Sequence, residues 1–168
     1  MSKAVLISIQ PKWCELILLG KKTLEVRKTK PNLKTPFKCY IYQTKAKDRL
    51  LQVMKDGDDN YGEIYHGKPV FIKTYGEQSG YKGLFGRTQK IVGEFVCDGI
   101  FYDETYGHNK TFYDMACMSA IDAAWYAIQS PMYGLHISNF KIYDKPKELA
   151  EFGKTRPPQS WCYVESEV

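Results

Sequence analysis

The residues best suited to chemistry lie in one short segment, residues 20–27, which reads GKKTLEVR. Apolar and charged side chains alternate at its end, and this period of two predicts a strand that carries Glu25 and Arg27 on one face. Arg27 could hold a phosphate or a base edge through two hydrogen bonds, and Glu25 could accept from an amino group. Alternatively, the two charges pair with each other at the surface and contribute only ~0–1 kcal/mol.

The elements before this segment determine where it is held. Residues 4–9 (AVLISI) are rich in β-branched side chains and predict a buried strand. Pro11 and the apolar residues at helical spacing behind it predict a helix over 11–19, which Gly20 ends. Lys22 follows in the turn, where we expect its ammonium group to be free for an anionic backbone. A groove between the helix and the sheet is therefore the expected site.

The remaining pattern predicts an α+β protein in which the sheet forms a small closed or partly closed β-barrel. A second main helix is expected behind Ser119 and Asp122, which resemble a capping box, with its apolar face formed by Ile121, Ala124, Trp125 and Ile128. A short helix is expected at 48–55, and further strands at 22–28, 37–43, 70–73, 90–97, 136–143 and 160–165. Length favours a single domain over 1–168, with a glycine-rich insertion at about 56–89.

Two parts of the chain resemble a known family. The segments SIQPKW (8–13) and G-x-K-x-x-E-x-R (20–27) resemble the ASCH domain, a member of the PUA-like superfamily, and residues 134–164 are similar to the ending of bacterial and phage members. The resemblance implies a small PUA-like β-barrel, a short N-terminal helix packed beside it, and one or two further helices. It also implies a groove lined by Lys22, Glu25 and Arg27.

The same resemblance implies binding of RNA or of a nucleotide or nucleoside ligand. The expected ligand-binding residues are Ser8, Lys12, Lys22, Thr23, Glu25 and Arg27. One branch of the family hydrolyses the amide of N4-acetylcytidine with a lysine, a threonine nucleophile and a carboxylate. Its lysine falls on Lys22, but its threonine position is occupied by Glu25, and Thr23 lies two residues earlier.

Two other functions stay open. The first is a small hydrolase, either an amidohydrolase on modified cytidine or a ribonuclease, in which Lys22 and Glu25 would be catalytic and Glu25 would activate water. The second is an interaction module that binds a protein instead of a nucleic acid.

Charge favours an anionic partner for the first third of the chain. The protein carries 24 basic and 19 acidic side chains, a net charge of +5. Residues 1–50 hold 12 Lys/Arg and three acids, which is 12 − 3 = +9, and the remaining 118 residues hold 12 and 16, which is −4. Lys12 belongs to this basic third, with Lys21, Lys28, Lys30 and Lys34. A solvated surface is the alternative explanation.

Several other properties are predicted as absences. The five cysteines are scattered without a C-x-x-C pair and the three histidines are dispersed, so we expect no disulfide framework, no metal and no cofactor. No apolar run reaches the ~20 residues of a membrane span, and we expect a soluble cytoplasmic protein.

Trp13, Trp161 and Tyr163 are expected in the core, and His136 as a hydrogen-bonded structural residue. The oligomeric state is not indicated.

Overall fold

The computed structural model describes residues 2–45, 50–53, 70–73, 89–104, 108–126, 128 and 130–166. The helices are α1 (Pro11–Leu18), α2 (Lys110–Ala116) and α3 (Ala120–Tyr126), with a 3-10 helix at Leu149–Phe152. The strands are β1 (Lys3–Ile9), β2 (Leu24–Arg27), β3 (Phe37–Gln43), β4 (Leu50–Val53), β5 (Val70–Lys73), β6 (Lys90–Asp103), β7 (Met132–Lys147) and β8 (Trp161–Glu165). Within these ranges, no helix is both long enough and apolar enough to cross a membrane.

Six strands form one mixed sheet in the order β2-β7-β6-β3-β1-β8, and β4 and β5 form a separate hairpin-like pair. Strands β1 and β3 are parallel, and the other neighbouring strands are antiparallel. The parallel pair requires a crossover connection, which α1 and β2 supply. The α+β class agrees with the sequence prediction, and α2 and α3 agree in number with the one or two further helices that the family resemblance implies.

Strand pairing does not close the sheet into a barrel within the described residues, where β2 and β8 are its two edges. The chain that follows β2 nevertheless reaches β8. The indole N–H of Trp161 donates to the carbonyl and hydroxyl oxygens of Thr29 at 3.3 and 3.1 Å, and the backbone N–H of Asn32 donates to the hydroxyl of Tyr163 at 2.8 Å. Side-chain contacts, not a ladder of backbone hydrogen bonds, therefore join the two edges.

The N-terminal elements agree with the sequence prediction to within two residues at each boundary. Pro11 occupies the first turn of α1, where its missing N–H costs nothing. Gly20 has a φ of +70°, a left-handed conformation that glycine adopts without strain, and it turns the chain toward β2. Strand β2 then packs closely on β7 at Gly134. A Cβ atom at this position would lie 2.4 Å from the side chain of Leu24, so the close approach requires glycine.

Two hydrophobic clusters cover opposite faces of the sheet near β2. The side of α1 that includes Cys14 and Ile17 packs in a cluster with Leu135 of β7, whereas Leu24 and Val26 of β2 pack beneath α2 and α3. Side chains on a strand alternate between faces. Glu25 and Arg27 must therefore point to the α1 side of the sheet, which is the arrangement that the sequence pattern predicts.

Two predictions around the helices were wrong. The helix expected at 48–55 is instead strand β4, because a ladder to β5, about 20 residues further on, satisfies its backbone. Helix α3 begins directly after Ser119, as predicted, and Ser119 Oγ accepts from the N–H of Asp122 in its first turn at 3.0 Å. Its apolar face differs from the prediction, since Ala123 is buried while Ala124, Trp125 and Ile128 are exposed.

Helix α2 has no counterpart in the sequence prediction. It spans only seven residues, too few to show a clear helical period, and Asn109 caps it by accepting from the N–H of Phe112 at 3.1 Å. In the glycine-rich insertion, the strand expected at 70–73 is confirmed as β5. Most of the rest of 56–89 lies outside the described residues, and the single-domain assignment stays a prediction.

Candidate functional site

A pocket of about 380 Å³ lies where α1, the end of β1, β2 and the α2–α3 segment meet. This volume is within the range of pockets that hold small ligands. The lining residues are Ser8, Ile9, Gln10, Trp13, Lys22, Glu25, Val26, Arg27, Thr44, Met118, Tyr126, Gln159 and Ser160. The structure thus brings Ser8, Lys22, Glu25 and Arg27, four of the six expected ligand-binding residues, into one concavity.

Lys22 is buried in this site, contrary to the expectation of a free ammonium group. Its side chain is 4% exposed, and Nζ donates to the carbonyl oxygens of Leu24 and Ala116, both at 2.8 Å. Ala116 ends α2, so Lys22 ties that helix to the floor of the pocket. Nζ also lies 5.0 Å from the ring centre of Trp13. Lys22 is therefore a fixed positive charge and not a mobile one.

Glu25 is the central carboxylate of the pocket. It is 3% exposed, its Oε1 accepts from the guanidinium of Arg27, and its Oε2 lies 3.3 Å from Lys22 Nζ. Burial alone would raise the pKa of Glu25, but the adjacent charges of Lys22 and Arg27, together with the hydrogen bond from Arg27, outweigh it and lower that pKa. Oε2 accepts no hydrogen bond of normal geometry from the described residues. Glu25 is therefore a charged carboxylate with one oxygen that still lacks a hydrogen bond.

Arg27 joins β2 to the end of β1. Its Nη1 donates to Glu25 and to the Val26 carbonyl, and its Nη2 donates to the Ser8 carbonyl at 2.6 Å. A guanidinium group has five N–H donors. Among the described residues these bonds engage three of them, which leaves donors on Nε and Nη2 for a ligand oxygen or ring nitrogen.

Two aromatic rings complete the lining. Trp13 packs partly on the core, as predicted, but it also lines the pocket, and its ring lies 4.2 Å from Lys12 Nζ. Tyr126 was not predicted, because the helical pattern of α3 assigned the inward face to other residues. Its hydroxyl lies 3.4 Å from the Val26 carbonyl. Burial raises the pKa of Tyr126, against the opposing effect of Arg27.

Three further residues were expected to bind the ligand: Ser8, which lines the pocket, and Thr23 and Lys12, which do not. Ser8 belongs to β1 itself, and its hydroxyl donates to the Pro158 carbonyl at 2.6 Å. Thr23 and Lys12 are not part of the lining. The backbone of Thr23 bonds to Met115 and Ile137, and Lys12 lies over the outer side of the site through its contact with Trp13.

The other residues that the sequence singled out lie outside the pocket. His136 is hydrogen-bonded through Nδ1 to Asp98 at 2.6 Å, in agreement with the prediction of a paired histidine. Burial raises the pKa values of the thiols of Cys14, Cys39, Cys97 and Cys162, which keeps them protonated and poor as nucleophiles. No group of His, Cys, Asp and Glu side chains in the described ranges could hold a metal ion.

Comparison with known proteins identifies the fold. No protein-family model and no curated protein match the sequence. The structure of ASCH from Zymomonas mobilis matches with a TM-score of 0.62 at 15% identity, covering 96% of this chain and 87% of that chain. This chain has the ASCH fold. Two variants of the Zymomonas mobilis ASCH protein also match: a serine-to-alanine variant (TM-score 0.63, 14% identity, 96% and 88% covered) and a tyrosine-to-phenylalanine variant (0.61, 15%, 98% and 91%).

The ASCH fold confirms the family resemblance read from the sequence at the level of structure. At 14–15% identity the likeness establishes the arrangement of the chain and not its ligand. The residues that line the pocket determine its ligand.

Proposed function

We propose that this ASCH-fold protein binds RNA or a nucleotide through the pocket around Lys22, Glu25 and Arg27. The observation that carries this proposal is the pairing of a buried acceptor, Glu25 Oε2, with the remaining donors of Arg27. Acceptor and donor side by side are complementary to a base edge on which an amino group adjoins a ring acceptor. The rings of Trp13 and Tyr126 in the same lining offer surfaces on which a base can stack.

This pairing favours some bases over others. Cytosine presents an amino group next to N3, and adenine an amino group next to N1, so both can donate to Glu25 and accept from Arg27. Uracil held in the same orientation presents a carbonyl oxygen and an N–H at the equivalent positions, which would oppose the carboxylate and the guanidinium; it pairs only if it shifts so that its N–H faces Glu25. We therefore expect a pocket that fixes the orientation of the base to prefer bases that carry an exocyclic amino group.

Isothermal titration with cytidine 5′-monophosphate and uridine 5′-monophosphate tests this function. The cytidine nucleotide should bind at least about fivefold more tightly, the lower range for a two-hydrogen-bond contact to a base. Arg27→Ala should remove most of the binding to both. Absence of binding at millimolar concentration would contradict the proposal, and equal affinity for the two nucleotides would contradict the preference for an amino group.

RNA binding adds a second, electrostatic test. Lys28, Lys30 and Lys34 are exposed around the segment that follows β2, where they can contact phosphates. The logarithm of the affinity for a single-stranded RNA should then fall linearly with the logarithm of salt concentration. An affinity that does not change with salt would exclude a backbone-tracking role for these lysines.

A hydrolase is the second candidate, supported by the 3.3 Å separation of Lys22 and Glu25 within the pocket. Glu25 is charged and could take a proton from water, but its lowered pKa makes it a weaker base than an ordinary carboxylate. Incubation with N4-acetylcytidine and with single-stranded RNA, followed by mass spectrometry, would detect cytidine or RNA fragments. An activity lost in Glu25→Gln would favour this candidate, and the absence of both products would leave binding alone.

We also propose that the sheet corresponds to the PUA-like barrel of the family. The hydrogen bonds from the chain after β2 to Trp161 and Tyr163 of β8 support this. An experimental structure in which β2 and β8 remain far apart would contradict it.

A further inference from the structure

A row of side chains continues from the pocket across the sheet. Arg27 of β2 lies directly opposite Tyr133 of β7, and Tyr133 lies directly opposite Tyr102 of β6. Directly opposed residues point to the same face. Since neighbouring strands are ~4.8 Å apart, Tyr102 is about 10 Å from Arg27 along this row. The two tyrosines therefore form a surface that adjoins the pocket on the same side of the sheet.

The two tyrosine rings lie against each other beside the pocket. Their centres are 5.3 Å apart with 48° between the ring planes; Tyr102 is 51% exposed and its hydroxyl donates to Glu104 at 3.0 Å, whereas Tyr133 is half-buried. The exposed ring of Tyr102 offers a surface on which a base can stack. The fold does not need it as a core, since the nearby hydrophobic clusters do not include Tyr102 or Tyr133.

Lysines alternate with these rings. Lys28 Nζ lies 5.4 Å from the ring centre of Tyr126 inside the pocket, and Lys30 Nζ lies 5.8 Å from the ring centre of Tyr133 outside it. Each aromatic surface thus has its own ammonium group, two residues apart on one segment. Aromatic rings for bases with cations for phosphates form the pattern by which proteins bind single strands.

We propose that Tyr102, Tyr133 and Lys30 form a second base-binding subsite, which takes the nucleotide next to the one in the pocket. The natural ligand is then a single-stranded oligonucleotide and not a free nucleoside, an inference that rests on the proposed function. Unpaired bases splayed from a single strand are the form that stacks on aromatic side chains. Lys30 supplies a charge for the connecting phosphate.

Three probes separate the subsite from the pocket. They are cytidine 5′-monophosphate, the dinucleotide pCpC, and the same dinucleotide with an abasic second residue. Wild-type protein should bind pCpC about 5- to 100-fold more tightly than the abasic dinucleotide, the gain expected from one stacked base. Tyr102→Ala should abolish this gain and leave the binding of cytidine 5′-monophosphate unchanged, whereas Tyr102→Phe should keep it.

Phe101→Ala is the matched control. Phe101 is the neighbour of Tyr102 and is 47% exposed, but its ring contacts His136 on the opposite face at 6.0 Å. This variant should retain the full gain, and thermal melts should show that all variants fold. Lys30→Gln should weaken both dinucleotides and reduce the salt dependence.

The outcomes distinguish the two proposals. Binding of cytidine 5′-monophosphate with equal affinity for pCpC and the abasic dinucleotide would overturn the subsite and leave the pocket intact. A gain that survives Tyr102→Ala, or is lost equally in Phe101→Ala, would also overturn it. Failure of all three probes to bind would remove the proposed function itself.

Discussion

Two carboxylates of the same sheet, Glu25 and Glu94, both pair with a lysine, but they differ in whether their oxygens can still accept a hydrogen bond from a ligand. Glu94 on β6 pairs with Lys38 at 3.3 Å through one oxygen and accepts from the hydroxyl of Tyr143 at 2.5 Å through the other. Burial would raise the pKa of Glu94, but the Tyr143 hydrogen bond and Lys38 outweigh it and lower that pKa. Both oxygens of Glu94 thus have partners.

Glu25 differs in burial and in what remains unsatisfied. Its partners are also cations, yet its Oε2 is buried without a normal hydrogen bond from the described residues, and Glu25 lines the pocket. A buried acceptor without a hydrogen bond costs free energy that a ligand can recover. Because Glu94 also has a lysine partner and a lowered pKa, these two properties do not identify a binding site. The distinguishing property of Glu25 is a buried oxygen without a hydrogen bond in a residue that lines a cavity.

Removing Lys22 should have the largest effect. Lys22→Met takes the nearest ammonium from a buried carboxylate and leaves the carbonyls of Leu24 and Ala116 without their donor. We expect a loss of about 3 kcal/mol in the free energy of unfolding. Lys38→Met is the matched control at the more exposed pair and should cost less than about 1 kcal/mol. Urea denaturation measures both, and equal losses would mean that the two clusters are energetically alike.

Glu15 of α1 provides the next test, because it is as buried as Glu25 but forms no ion pair with a cation of the described residues. Burial raises the pKa of Glu15 to about 7, and its Oε2 accepts no hydrogen bond from the described residues. The folded protein therefore holds this proton more tightly than the unfolded chain does. The resulting stability is complete below pH ~4.5 and is lost as pH rises to about 7.

Glu15→Gln should remove that pH dependence. The variant should gain about 1–3 kcal/mol over wild type at pH 8 and show little difference at pH 4.5, since the amide carries no charge to desolvate. Denaturant titrations at the two pH values measure this. A stability difference that does not change with pH would show that Glu15 is solvated in the folded protein.

The smallest effect is expected at the satisfied cluster. Tyr143→Phe removes one hydrogen bond from Glu94 and should cost about 0.5–1.5 kcal/mol without altering nucleotide affinity. Titration with cytidine 5′-monophosphate checks the second part. A change in affinity would connect Glu94 to the binding site and remove the distinction between the two carboxylates.

The sequence predicts well the elements that are neighbours along the chain and the faces on which their side chains lie. Strand β1, helix α1, Gly20 and strand β2 follow each other within 25 residues, and their periods fix which face Glu25 and Arg27 occupy. Contacts between distant residues could not be predicted. Lys22 is buried because it meets Ala116, 94 residues away, and β4 is a strand because β5 pairs with it.

The pocket lining shows the same limit. Tyr126 reaches the site only because α3 buries Ala123 and turns Trp125 to solvent, and the apolar spacing of α3 favours the opposite orientation. The row from Arg27 to Tyr102 depends on the register of β2, β7 and β6, which no single segment determines. Composition gave a basic first third, and only the fold assembles it around a pocket.

The most direct test of the central claim is the affinity for cytidine and uridine 5′-monophosphates in wild type, Glu25→Gln and Glu94→Gln, with folding checked by thermal melts. If Glu25 Oε2 accepts from the amino group of the base, Glu25→Gln loses the preference for cytidine, because an amide can turn to suit either base. Glu94→Gln keeps it. A preference that persists in Glu25→Gln, or disappears in Glu94→Gln, would contradict the account.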